Sequence, residues 1–447
     1  MVSANPAERA LLAPGLGASR WAIALAGAAA LAVAMGIGRF AFTPLLPMML
    51  NDGVIDLQHA SWLATMNYLG YLAGALLCTF QPWIWARLKA RGPSGGPGGG
   101  RALPPVNGVA LLRGGLVATG LLTLGMALPV EALWPALRFA AGVASALVFV
   151  FTSGWCLAQL ARLDSSAMGG VMYAGPGVGI IVSGQLASSM VAWHWRAAAA
   201  WAVFGVLAWG LTAVVWRRFD TGGAPRPAAT MAAAGTGAAG VAGAAGAGFK
   251  AASHSRAEMA LLGVAYALAG FGYIVTATFL PVIARAALPG SAWLDLFWPL
   301  FGVGVTAGAL LATRLRVTGD LRLLLAAGYF VQAAGIALSV WAPSLLGFAL
   351  SSLLLGLPFT AITFFAMQEV RRLRPTTVAS TMGLMTAMYG IGQIVGPPLV
   401  ALLLQRSGSA GAGFTLSLQV AAGALLLGAV LYLAMLRAYP EPDRGTR

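Results

Sequence analysis

Residues 35–47 read MGIGRFAFTPLLP, and residues 269–281 read AGFGYIVTATFLP. Laid one on the other, Gly36, Gly38, Leu46 and Pro47 fall on Gly270, Gly272, Leu280 and Pro281. A second pair recurs in the same order: GVMYAGPGVGIIVS at 170–183 and GLMTAMYGIGQIVG at 383–396 agree at seven of fourteen positions. The two offsets, 234 and 213, differ by 21 residues, about the size of a glycine-rich loop at 81–107 that the second half lacks. Apolar halves that repeat in the same order are built as parallel copies of one membrane bundle.

Composition agrees. The chain is 59% hydrophobic and only 9% charged; no soluble core requires that, whereas crossings of about 20 apolar residues each do. The apolar runs place twelve helices, at 21–49, 59–80, 108–128, 132–158, 167–190, 197–217, 257–284, 293–313, 321–341, 343–369, 377–405 and 414–437. The expected fold class is therefore an all-α membrane protein, with twelve transmembrane helices in two pseudo-symmetric six-helix bundles, 1–217 and 257–447. A flexible cytoplasmic linker, 218–256, joins them. Its Ala/Gly tract (228–248) has almost no Leu, Ile or Phe to bury and is not counted as a span. The loop GPSGGPGGG (92–100) reads as solvated linker as well. The first apolar run, 21–50, is too long for the core of a cleaved signal. Cys78 and Cys156 both sit inside spans, which argues against a structural disulfide.

The net charge of +15 is a matter of distribution. With the N-terminus cytoplasmic, 22 of the 27 Lys and Arg fall on the cytoplasmic side and three, Arg196, Arg285 and Arg406, on the other. That asymmetry predicts both termini inside a bacterial-type inner (plasma) membrane. It also removes any need for a nucleic-acid partner. The remaining two arginines, Arg39 and Arg138, lie within spans.

Arg39 is the sharpest local signal. A cation at membrane depth is expensive, so it faces a cavity or a partner, or else snorkels to the headgroups. Gly36 and Gly38 allow close helix approach, and Pro44 and Pro47 interrupt the backbone ladder. Its repeat partner is Tyr273, so the halves differ where a binding site needs them to. Arg138 opens RFAAGVASA in the fourth helix; the alternative for it is a pair with Glu131. Candidate substrate-binding residues are Arg39, Tyr273, Arg138, Asn67, Tyr71 and Gln393, with Asn67 and Tyr71 four apart on one helix face. For the polar ones an interhelical hydrogen bond is the competing role. Tyr68, Gln185, Thr360 and Thr363 are further polar residues on cavity-type helices, while Tyr389 and Trp155 read as packing. Gly36, Gly38, Pro47, Gly175, Pro176, Gly179, Gly270, Gly272 and Pro281 are candidates for gating or close packing. Helices one, four, seven and ten are expected to line the cavity.

These residues carry a resemblance to the major facilitator superfamily, over nearly the whole chain except the inserted loops. Arg138, Gly142 and Ser145 resemble that family's Arg-x-x-x-Gly pattern in helix four, which implies a role in proton transfer or substrate binding. Gly170, Gly175, Pro176, Gly177 and Gly179 are similar to its glycine-rich antiporter motif in helix five, which implies export or exchange. GIGRF–TPLLP and GFGYI–TATFLP look most like the YbfB/YjiJ-type branch. One departure stands out: the loop after helix two reads WARLKARG (85–92), basic but without the family's usual Asp.

The expected function is a secondary active transporter. It moves a small organic solute by alternating access, and embedded cations without a deep carboxylate favour an anionic one. Proton-coupled export of neutral sugars or hydrophobic compounds is the alternative. An enzyme is not expected. There is no Cys/His cluster for a metal and no GxxxxGK[ST] for ATP, so no cofactor is expected either. No segment outside the spans has the apolar content of a sensor's output domain. The expected partners are the substrate, the lipid bilayer, and a coupling proton or counter-substrate.

Overall fold

Twelve helical segments are long and apolar enough to cross a membrane. They are α1 (Arg20–Asn51), α2 (Leu57–Gln81), α3 (Gly108–Gly125), α4 (Glu131–Arg162), α5 (Gly169–Ala192) and α6 (Ala197–Trp216) in the first half. The second half holds α7 (Arg256–Ala287), α8 (Leu294–Ala312), α9 (Leu321–Trp341), α10 (Leu345–Leu373), α11 (Thr381–Arg406) and α12 (Ala410–Ala438). The structure is a computed structural model that describes residues 19–91, 107–219, 256–291, 293–315, 320–374 and 378–440. The loop at 92–100 and most of the linker at 218–256 lie outside the described residues.

Short polar connections start these helices where the sequence supplies a cap. Asn107 accepts from the amides of Val109 and Ala110, and Ser344 from that of Gly347. Asp56 accepts from the amide of His59 as α2 begins, and that bond holds the Asp56 carboxyl below its ordinary pKa. The exposed tryptophans Trp193, Trp293 and Trp341 gather at one end of the bundle, with Trp21 and Trp216 at the other. Two such belts fit the headgroup layers of a bilayer.

Within the first half α4 packs on α2 and α3, and α5 on α1; in the second, α7 packs on α11 and α12. The halves meet along two seams, α2 against α11 and α5 against α8. Glycine makes these seams close. Gly170, Gly177 and Gly184 recur every seven residues on α5, and a Cβ on them would strike Thr313, which caps the end of α8, and Thr306 and Pro299 within it. The repeat equivalents Gly383 and Gly390 on α11 meet Thr79 and Leu72 of α2 in the same way.

Three of the helices are broken along their length. α5 divides at Ala174, ahead of Pro176, and α10 at Leu357–Pro358. α1 divides most deeply, and its break positions the site.

At the end of the bundle that carries the basic loops, Arg322 is 1% exposed. Its Nη2 lies 2.8 Å from Asp320, its Nη1 3.4 Å from Glu258 and its Nε 3.6 Å from Glu369. Glu369 also pairs with Arg372 at 2.6 Å. Glu369 lies near the end of α10, fully buried in a charge network together with Glu258.

Candidate functional site

The site begins with the backbone of α1. Its first piece, Arg20–Leu31, passes into a π-helical turn over Ala32–Ile37. Gly38 and Phe40 donate to Val33 and Met35, five residues back, at 2.9 Å each. The ladder then stops and resumes at Phe42–Asn51, whose third residue, Pro44, has no N–H to give. Single π-turns of this kind concentrate at functional sites.

Carbonyls released inside a membrane need partners, and α4 supplies them. Arg138 donates from Nη1 to Gly38 O at 3.4 Å and from Nη2 to Arg39 O at 3.2 Å. Ser145 donates to Ala34 O at 2.7 Å. Arg138 therefore replaces missing helix bonds, and it contacts neither the cavity nor Glu131. Asn67 lies behind it, donating to Arg138 O at 3.0 Å. Both were expected to touch substrate. Instead, the α4 face of Arg138, Gly142 and Ser145 is consumed by packing on α1 and α2; a Cβ on Gly142 would sit 2.6 Å from Tyr71 N.

Arg39 emerges on the opposite side of the break. It is 3% exposed, so it does not snorkel. Its Nη2 donates to Gln393 Oε1 of α11 at 2.6 Å, and Gln393 in turn donates to the hydroxyl of Tyr273 on α7. The guanidinium carbon lies 4.1 Å from the ring centre of Tyr71 and 5.2 Å from that of Tyr68, within cation–π range. Arg39 and Tyr273, equivalent in the repeat, thus converge on one amide across the interface of the halves.

These side chains wall a cavity bounded by α1, α2, α4, α5, α7, α10 and α11. It is broader than the expected four helices, and α4 contributes only Phe149. Of the six candidate binding residues, Arg39, Tyr71, Tyr273 and Gln393 lie on the wall; Arg138 and Asn67 do not. Tyr389, read from sequence as packing, lies on the wall, as do Tyr173 and Tyr266, which were not singled out. Helical spacing could have found two of them: Tyr266 precedes Tyr273 by seven residues and Tyr389 precedes Gln393 by four. Trp155 packs on Phe219, with ring centres 5.1 Å apart, away from the cavity. Among the described residues of the wall, Arg39 alone is charged.

The remaining candidates are scaffold. A Cβ on Gly36 would fall 2.7 Å from the carbonyl carbon of Gly179, and one on Gly179 would fall 2.8 Å from Gly36 Cα. Gly175 lies on Ala28, Gly270 on Tyr389, Gly272 on Leu425, and Gly38 on Thr119 and Ser145. Pro47 and Pro281 sit inside helices, and Pro176 opens the second piece of α5. Gly36→Ala is expected to destabilise the protein by at least about 1–3 kcal/mol, because backbone, not a movable side chain, stands in the way. A thermal melt of the purified variant in detergent checks this, and an unchanged midpoint refutes the close approach.

No curated protein matches the chain. The family described as uncharacterised MFS-type transporter YbfB matches residues 31–433, which takes in every residue of the α1 break, the cavity wall and both seams. With twelve apolar helices in two repeated bundles, the chain belongs to this family of membrane transporters.

Proposed function

We propose that this protein is a secondary transporter of a small organic anion, working by alternating access, with Arg39 as the anion's counter-charge. One observation carries the reading: a buried guanidinium on a cavity wall with no carboxylate among its described residues. A cation in a low-dielectric site is costly, and an arriving anion relieves that cost. Arginine also presents a planar fork that matches a carboxylate.

The contacts support a cavity closed at one end. Thr43 donates to Ala277 O at 3.2 Å, and the hydroxyls of Tyr68 and Thr278 are 2.9 Å apart. These bonds join α1 and α2 to α7 on the side of Arg39 away from the basic loops, whereas Tyr173, Thr363 and Thr386 extend the wall toward those loops. With the basic end cytoplasmic, this is a conformation sealed from outside. The glycine seams are the surfaces over which two bundles can rock. Efflux or exchange rests on the glycine-rich α5. With no acid on the wall, coupling falls to a second anion or to a proton carried with the substrate.

The test is counterflow of radiolabelled organic anions into proteoliposomes at a clamped potential. Accumulation of anions but not of matched neutral amides is the expected result; equal uptake of the amides refutes the reading. Orientation has its own measurement: cysteine probes at 54 and 290 should be labelled only from outside, and probes at 95 and 240 only from the cytoplasm. Cytoplasmic labelling at 290 would invert the second half.

A further inference from the structure

Eight of the seventeen residues on the cavity wall are aromatic, five Tyr and three Phe, against 9% in the chain as a whole. The rings are ordered. Tyr266 and Tyr389 have centres 4.7 Å apart, and Tyr389 and Tyr273 stack at 5.8 Å with planes only 17° apart. Phe359 meets Tyr273 edge-on at 4.8 Å. Two of the phenol groups are already engaged, Tyr273 by Gln393 and Tyr266 by Thr363 at 3.1 Å. Eight aromatic rings give this wall a large area of ring surface, which suits a flat ring better than a polyol.

Arg39 limits the charge. One face of its guanidinium is covered by Tyr71 at 4.1 Å. An anion must then approach in the guanidinium plane, and the acceptor holding an edge of that plane is Gln393 Oε1 at 2.6 Å. A primary amide oxygen has the shape of half a carboxylate and none of its charge. It satisfies the empty site and is displaced by a true carboxylate, whose bond to a guanidinium is the stronger one. A second negative charge finds no cation on the wall. Thr360 Oγ1, buried on the same wall, has no hydrogen-bond partner among the described residues and can meet a polar ring substituent.

We propose that the transported solute is a planar aromatic monocarboxylate, whose carboxylate displaces the Gln393 amide from Arg39 while its ring lies against the row of rings Tyr266, Tyr389 and Tyr273. This rests on the anion reading above and narrows it. Because Gln393 bridges Arg39 of the first half to Tyr273 of the second, the same displacement opens a bond between the halves.

The experiment is calorimetric titration of the purified full-length protein with benzoate, cyclohexanecarboxylate, terephthalate, hexanoate and benzamide. Benzoate is expected to bind, cyclohexanecarboxylate about tenfold more weakly for want of ring stacking, and terephthalate on the order of a hundredfold more weakly for its unmatched charge. Benzamide should not bind detectably. Benzoate no tighter than cyclohexanecarboxylate or hexanoate overturns the aromatic assignment and leaves the anion reading standing. Terephthalate as tight as benzoate overturns the single-charge assignment. Benzamide as tight as benzoate overturns the anion reading itself, and silence from all five overturns the substrate class. Gln393→Glu supplies an internal anion: it should lower benzoate affinity on the order of a hundredfold without lowering the melting temperature. A Gln393→Glu protein that melts as the parent does and binds benzoate as tightly overturns the displacement. One that unfolds leaves the ligand series on the native protein as the deciding measurement.

Discussion

Arg39→Gln is expected to yield a folded protein that no longer transports the proposed anion. Removing one partner of a buried, hydrogen-bonded charge pair costs about 2–5 kcal/mol, or roughly thirtyfold to several thousandfold in affinity. The fold should survive. Glutamine still reaches toward Gln393, and losing a buried cation removes a desolvation cost from the empty state. Arg39→Lys should fall between, keeping the charge but losing the planar fork. Uptake in proteoliposomes, alongside a melting curve for each variant, makes the measurement. Parental transport by Arg39→Gln would reduce Arg39 to a structural residue.

Arg322→Leu should act on stability. This guanidinium ties together the basic-end termini of four helices: it reaches Glu258 of α7, Asp320 at the start of α9, Glu369 of α10 and, through bonds of 3.1 and 2.8 Å, the carbonyls of Met435 and Tyr439 at the end of α12. Without it, Glu258 and Glu369, at 1% and 0% exposure, lose a shared cation where water cannot replace it. Breaking such a network from one side costs about 3–5 kcal/mol. The expected readout is a large fall in melting temperature in detergent with Arg322→Lys intermediate. An unchanged midpoint would mean that these carboxylates are solvated or protonated in the folded protein.

Much of the fold was legible because it is written in hydropathy and repetition, both local. Offsets of 234 and 213 between two motif pairs were enough to divide the chain. The break in α1 was partly legible: Gly36, Gly38, Pro44 and Pro47 announce a weak ladder, but they do not say which carbonyls are freed. That depends on Arg138, about a hundred residues away and on another helix. Sequence treats Arg39 and Arg138 alike, as two cations in apolar spans. Only their facing separates them, one to the cavity and one to the backbone of its neighbour. Tyrosine misleads for a related reason. It serves a packed interior and a ligand wall equally well, so Tyr266 and Tyr389 carry no mark of their own beyond helical phase.

The contact of Gly36 with Gly179 limits how this molecule can change. Most tight contacts in a protein leave a route for variation, since a larger residue on one side can be accommodated by a smaller one opposite. Here each glycine is blocked by the other's main chain, at 2.7 and 2.8 Å from where a Cβ would sit. Neither partner has anything left to remove, so no second substitution at the pair restores the fit. Drift in such a lineage is barred at the α1–α5 crossing and open along the aromatic wall, where one ring can replace another. New solutes would be reached by exchanging side chains of α7, α10 and α11 around an arginine whose backbone support cannot move.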